Sequence, residues 1–329
     1  MKDDQNANAA VMFTNDHCGE LRPVDWQSTP LGSGQFGDVY KVTWRGTEVA
    51  IKVIKLPDRQ ENETEAASEL LRKKVEVITK DFVTEVEICV DLHHKNLVRL
   101  LGYATKPTLM IVQELLLGQS LDHQLYVQNW KPAPEQVIKM ALDVAEGMEY
   151  LHTRFLHSDN QCSQPIIHRD LKTPNLLLAS PPPPNGQLRY EDGQEILTKI
   201  TDFGLSRDKS LDAAVNQTVM MTGCGSVLWM APEILLGEAY NEKVDVFSFA
   251  MVLVELVAQA LPWSGVCFGA AVPHRVARGE RPDRQIRKAE PEMKELVKSC
   301  WNHDPTQRPE FAEVVEIVRA MRPEQRGAE

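Results

Sequence analysis

The chain has 329 residues, of which 43% are hydrophobic and 25% charged, so it can bury one large core or two moderate ones and is not a disordered or fibrous chain. Its 47 acidic residues outnumber 36 Lys plus Arg, for a net charge of −11. That balance argues against a nucleic-acid partner held on a broad basic surface, while leaving room for a local basic cleft around a phosphorylated ligand.

Residues 1–21 are polar, without periodicity, and are expected to form a mobile tail. They carry no basic n-region followed by an apolar stretch, and Lys2 stands where N-myristoylation requires glycine. The six cysteines (Cys18, Cys89, Cys162, Cys224, Cys267, Cys300) are scattered without metal-ligand or redox spacing, as expected of a reduced, cytoplasmic protein.

Structure is expected from about Trp26. From Leu31 to Val53 two alternating runs surround Arg45-Gly46-Thr47, the pattern of a β-hairpin, with Gly32, Gly34 and Gly37 at the turn before it. Glycines at this spacing let backbone N–H groups approach a phosphate chain. A dinucleotide fold would need a helix directly after Gly37; β-branched and aromatic residues follow instead. Lys52 alternates with Val49, Ile51 and Val53 and points to the opposite face; taken alone it reads as a lysine reaching to solvent. Residues 57–80 are strongly charged and read as a solvated, partly helical insertion. A helix is expected from about Asp81 to Leu92, with Glu85 and Glu87 as candidate partners for a lysine, or simply as solvated glutamates. Two strand-like runs follow, 97–102 and 109–117, before Gly118 breaks the pattern.

The second half reads as helical. Val137, Met140, Ala141, Val144, Met148 and Leu151 mark an amphipathic helix, which delivers the chain to Pro165–Leu178. There, apolar runs flank His168, Arg169, Asp170, Lys172 and Asn175, so that a carboxylate, an ammonium and a carboxamide converge on one loop. The prolines at 181–184 make 179–195 a surface excursion, a second insertion without a readable motif. A short strand at 196–200 leads to Thr201-Asp202-Phe203-Gly204, and helices are expected near 231–236, 243–260, 291–301 and 309–321. The longest apolar run, Val244 to Ala260, is interrupted by Asp245 and Glu255 and falls short of a membrane span, so no membrane insertion is expected.

Taken in order, Gly32-x-Gly34-x-x-Gly37-x-Val39, Val49-Ala50-Ile51-Lys52, His168-Arg169-Asp170-Leu171-x-x-x-Asn175, Asp202-Phe203-Gly204 and Ala231-Pro232-Glu233 make the chain resemble a eukaryotic protein kinase over about residues 24–322. The stretch Gly225 to Glu233 is similar to the tyrosine-kinase-like group, especially Raf-like and mixed-lineage kinases. The resemblance implies an α+β, bilobal fold: a small, mainly β N-lobe (about 22–116) with one key helix and a larger, mainly α C-lobe (about 117–322), with 323–329 as a C-terminal tail. It implies ATP and Mg²⁺ as cofactors, with Mn²⁺ as a substitute. Lys52, oriented by Glu85 with Glu87 as the fallback, would hold the α and β phosphates; Asn175 and Asp202 would bind the metal; Asp170 would accept the hydroxyl proton and Lys172 steady the γ-phosphate. The nucleotide would further meet Leu31, Gly32, Gly34, Gly37, Val39, Ala50 and Leu177, with hinge backbone from Glu114 to Leu116 and Gln113 as an unusual gatekeeper.

Lys172 and Thr173-Pro174 resemble serine/threonine kinases, so protein substrates with Ser or Thr acceptors are implied; a dual-specificity or tyrosine kinase and a nucleotide-binding pseudokinase scaffold are the alternatives. The intact catalytic set speaks against the scaffold. Ser226 would line the substrate pocket near Asp170 and Lys172, and Arg169 would pair with a phosphate placed by an upstream kinase on Thr218 or Thr222. Glu233 with Arg308 would form a buried ion pair, Asp245 would hold the catalytic-loop backbone, and His168 and Phe203 would belong to the core.

Overall fold

Alternating apolar residues and glycine turns build the first part of the chain, and helical periodicity builds the second. The computed structural model describes residues 11–12, 30–34, 37–57, 65–106, 108–154, 165–183, 187–190, 193–202, 225–266 and 271–322. The chain divides into two compact units, residues 1–93 with 98–116, and residues 94–97 with 117–329.

The first unit is a six-stranded sheet with a long helix. Its strands are β1 (Val11–Met12), β2 (Gly32–Ser33), β3 (Gly37–Trp44), β4 (Thr47–Ile54), β5 (Leu100–Ala104) and β6 (Met110–Glu114), in the order β1-β5-β6-β4-β3-β2. The β3–β4 hairpin closes on Arg45 and Gly46, whose φ angles of 48° and 78° give the turn the twist that suits paired strands. Val42, Val49, Ile51, Ala104, Met110 and Val112 form its core, the inward half of the period-two pattern.

Two sequence expectations change here. Within the 1–21 tail, Val11 and Met12 pair in parallel with Gly102 and Tyr103, two apolar residues adding to the edge of β5. The helix expected at Asp81–Leu92 is α1 (Glu65–Val90), which takes in most of the charged insertion. Its first turns are rich in Ala, Leu, Glu, Lys and Arg, all strong helix formers, and Glu69 supports them by pairing with Arg72 at 2.9 Å and Lys73 at 3.7 Å. Charges at i, i+3 and i+4 on an exposed helix leave little apolar periodicity to read.

The second unit begins with residues 94–97, which bridge to Ile200 through Leu97. Helix α2 (Pro134–Thr153) opens with proline in its first turn and buries Val137, Met140, Ala141, Val144, Met148 and Leu151. The hairpin β7 (Leu176–Leu178) and β8 (Thr198–Ile200) packs on it so closely that a Cβ on Gly147 would stand 2.8 Å from Ile200 Cδ1. Helices α3 (Pro232–Leu236), α4 (Lys243–Ala258), α5 (Val272–Ala277), α6 (Pro291–Cys300) and α7 (Phe311–Ala320) complete the unit. The apolar run at 244–260 becomes α4, buried on all sides along most of its length. The insertion at 179–195 is tied down where it is described: Tyr190 Oη donates to Ser180 O, and Gln136 donates to Gln187 O at 2.8 Å. Among the described residues no helix is long and apolar enough to cross a membrane.

Candidate active site

Sheet geometry gathers one set of groups in the first unit. Val39 faces Lys52 across β3 and β4, Lys52 faces Ile111 on β6, and Ala50 faces Gln113. Directly opposed residues share a sheet face, so Val39, Ala50, Lys52 and Gln113 lie on one side. Lys52 does not run out to water. Its Nζ lies 3.5 Å from Glu85 Oε1, with side-chain exposures of 15% and 7%, whereas Glu87 is exposed. The buried positions Phe82, Val86 and Cys89 fix the rotation of α1 that turns Glu85 inward.

The three glycines differ in what requires them. A Cβ on Gly37 would stand 2.2 Å from Val53 O, so packing of β3 on β4 demands glycine. On Gly32 it would meet nothing within 4 Å, and on Gly34 only Gly37 O at 3.8 Å, so among the described residues nothing around them excludes a side chain. Leu31 is exposed, Leu116 is half-buried, and Glu114 accepts from Arg99 N at 2.8 Å through its side chain.

The second unit gathers the other set. Asp170 is buried; its Oδ2 accepts from Lys172 Nζ at 2.7 Å and from Asn175 Nδ2 at 3.0 Å, and its backbone oxygen takes a further bond from Asn175 Nδ2 at 2.8 Å. With its nitrogen so engaged, the Asn175 amide oxygen is left to meet a cation. Lys172 Nζ also donates to Ser226 Oγ at 2.7 Å. Pairing of Leu176 with Ile200 and the bond from Thr201 N to Asn175 O at 3.0 Å bring the chain at Asp202 alongside Asn175, and Leu177 lies on the intervening strand, bridged to Ser120. A carboxylate and a carboxamide oxygen at the ends of one hairpin suit a hard divalent cation that completes its shell with phosphate and water.

The loop that carries Asp170 is held under strain. Arg169 and Asp202 both have φ of 67°, a left-handed conformation that costs a non-glycine residue about 1–3 kcal/mol. Asp245, fully buried on α4, counters this by accepting His168 N and Arg169 N, each at 2.8 Å, and His152 Nε2 at 2.9 Å. Burial pushes its pKa up, but the His152 hydrogen bond and the nearby histidines outweigh that and hold it below the usual range. The Arg169 guanidinium stacks over Tyr240, and Glu233 with Arg308 closes a buried bidentate pair at 2.6 and 2.9 Å. His168 is buried. Phe203, Gly204, Thr218 and Thr222 lie outside the described residues.

The sequence reading gave no role to Glu255, which accepts hydrogen bonds from Tyr126, Thr173 and Trp229. Its signal was an acid inside the most apolar run of the chain, which served there only to exclude a membrane span. Asp143, which stands in no sequence motif, pairs with Lys139 at 2.7 Å and accepts from Thr198 N at 2.9 Å, supporting β8 from α2.

A family model described as protein tyrosine and serine/threonine kinase matches residues 26–318. Among curated relatives from Arabidopsis thaliana, the serine/threonine-protein kinase STY46 is 36% identical over 88% of this chain and 43% of its own length. The serine/threonine-protein kinase VIK is 33% identical over 92% of this chain and 63% of its own, and the serine/threonine-protein kinase CTR1 is 34% identical over 88% and 31%. The chain therefore spans less than two thirds of the length of each of these relatives.

Proposed function

The chain belongs to the protein tyrosine and serine/threonine kinase family, and on that premise we propose that it transfers the γ-phosphate of ATP to serine and threonine hydroxyls of protein substrates in intracellular signalling. The observation that carries this reading is the Asp170 carboxylate, buried, aimed by Lys172 and Asn175, and linked through Lys172 to Ser226. In this reading Asp170 takes the proton of the substrate hydroxyl as its oxygen bonds to the γ-phosphorus and the bond to the β-phosphate oxygen breaks, releasing ADP. Lys172 faces the transferring phosphoryl group and neutralises its charge. Lys52, oriented by Glu85, holds the α and β phosphates, and Gly32 and Gly34 let the backbone approach them. Val39, Ala50 and Leu177, with Leu31 and the backbone from Glu114 to Leu116, receive the adenine. Asn175 and Asp202 would hold Mg²⁺, which would supply charge neutralisation to the phosphates.

The relatives named serine/threonine-protein kinases, together with Thr173-Pro174 and Ser226, support hydroxyl acceptors of Ser and Thr over Tyr and membership of the tyrosine-kinase-like group. We further assign residues 22–322 to the kinase domain, place the protein in the cytoplasm and take Thr218 or Thr222 as the target of an upstream kinase, with Arg169 as the phosphate's partner. The test is incubation with labelled ATP, Mg²⁺ and a generic protein acceptor, followed by phosphoamino-acid analysis. Wild type is expected to label serine and threonine and Asp170→Asn to lose labelling; equal labelling by both would refute the mechanism, and no labelling by either with retained ATP binding would favour a nucleotide-binding scaffold.

A further inference from the structure

Glu255 is fully buried on α4, and none of the roles above uses it. Its Oε1 accepts from Thr173 Oγ1 and Tyr126 Oη, each at 2.7 Å, and its Oε2 accepts from Trp229 Nε1 at 3.1 Å. Two of these partners lead to Lys172. Thr173 follows it in the chain. Trp229 ends the turn that starts at Gly225; its backbone N–H bonds Ser226 O at 3.1 Å, and Ser226 Oγ accepts Lys172 Nζ at 2.7 Å. Lys172, Thr173, Glu255, Trp229 and Ser226 thus form a closed ring in which every link is covalent or a hydrogen bond.

We propose that Glu255 is a positioning residue for phosphoryl transfer: by holding both arms of this ring it fixes the Lys172 ammonium and, through it, the Asp170 oxygen that receives the proton. The proposal rests on the kinase reading of Asp170 and Lys172. A carboxylate suits the position because its partners all present hydrogens. The indole N–H donates only, and two hydroxyls converge on one oxygen. A glutamine keeps the three links only by giving its oxygen to the indole N–H and reversing both hydroxyl bonds, so removing the charge does not by itself open the ring. Removing the Thr173 hydroxyl opens it at the catalytic loop, while removing the Tyr126 hydroxyl takes away a bond of the same length to the same oxygen and leaves the ring closed.

That difference makes the test. Thr173→Val, Thr173→Ser, Tyr126→Phe and wild type are compared for melting temperature, for steady-state phosphotransfer, and for amide hydrogen exchange over residues 168–175. Thr173→Val and Tyr126→Phe are expected to lower the melting temperature by similar amounts. Thr173→Val alone lowers kcat, by about tenfold with KM for ATP within about twofold, and speeds exchange in the loop; Thr173→Ser restores both, and Tyr126→Phe leaves both near wild type. Equal kcat losses in Thr173→Val and Tyr126→Phe, or unchanged loop exchange in Thr173→Val, would overturn the proposal. A wild type that transfers no phosphate would refute the kinase reading instead, and the exchange comparison would still decide whether Glu255 holds the loop.

Discussion

Changing Glu233 to Gln alters one charge at a place where the structure allows the cost to be worked out. The Arg308 side chain is completely buried, and all of its N–H groups have acceptors: Nη1 meets Glu233 Oε1 at 2.6 Å and Lys243 O at 3.0 Å, Nη2 meets Glu233 Oε2 at 2.9 Å and His303 O at 3.4 Å, and Nε meets Asn302 O at 2.9 Å. The guanidinium also stacks on Phe247. Glu233→Gln keeps the size of the side chain but leaves a buried cation without its counter-charge, which costs about 3–5 kcal/mol. For a unit of this size that is a fall of about 6–20 °C in melting temperature, measurable by scanning calorimetry. A second variant separates the ion pair from the rest of the anchor. In many proteins a buried pair can be replaced by two apolar residues without loss, but Glu233→Met with Arg308→Met would also strip three backbone carbonyls of their donors, at about 1–3 kcal/mol each. The double variant is therefore expected to be no more stable than Glu233→Gln. If it regained wild-type stability, or if Glu233→Gln melted within about 2 °C of wild type, the reasoning that Arg308 is needed for both its charge and its donors would fail.

Gly37→Ala should cost about 1–3 kcal/mol, because its new methyl meets Val53 O, whereas Gly34→Ala should melt like wild type and raise KM for ATP several-fold; thermal unfolding and steady-state kinetics on the pair would show whether the two glycines serve different ends. Burial pushes Glu255 up to about 7 against the lowering by its three donors, so the stability it contributes is present below its unfolded value near 4.5 and is lost as pH rises to about 7; urea unfolding of wild type against Glu255→Gln should show the difference between them shift by about 3 kcal/mol across that window, and parallel profiles would contradict it.

What the sequence made legible was local. Lys52, Asp170, Lys172 and Asn175 stand in short runs whose alternation or flanking strands already say which way they face, and Asp202 follows a strand that pairs back on Asn175. The start of α1 at Glu65 was hidden because its first turns extend where little apolar surface needs covering, so charge pairs replaced the apolar stripe. Glu255 was hidden for a different reason. Its partners stand 129, 82 and 26 residues away, and a long-range polar contact leaves no period in a sequence. The same holds for Asn96, whose amide reaches Thr198 O across 102 residues.

Helix α4 explains why these long-range acids belong together. It is almost entirely apolar and buried, so each carboxylate on it must find donors or destabilise the fold by several kcal/mol. Asp245 finds them in the amides of His168 and Arg169, just before Asp170, and Glu255 finds one in the hydroxyl of Thr173, three residues after it. Ten residues of helix separate the two acids, a rise of about 15 Å, so one rigid element grips the loop on both sides of Asp170. The grip at the Asp245 end uses charge-assisted bonds worth about 1.5–3 kcal/mol each, enough to offset the left-handed strain at Arg169, which turns Asp170 toward Lys172 and Asn175. Apart from the single 3-10 turn at Thr173–Asn175, the loop has no regular structure of its own. Its geometry is set by the helix beneath it, and a change in either acid should reach the Asp170 carboxylate without touching it.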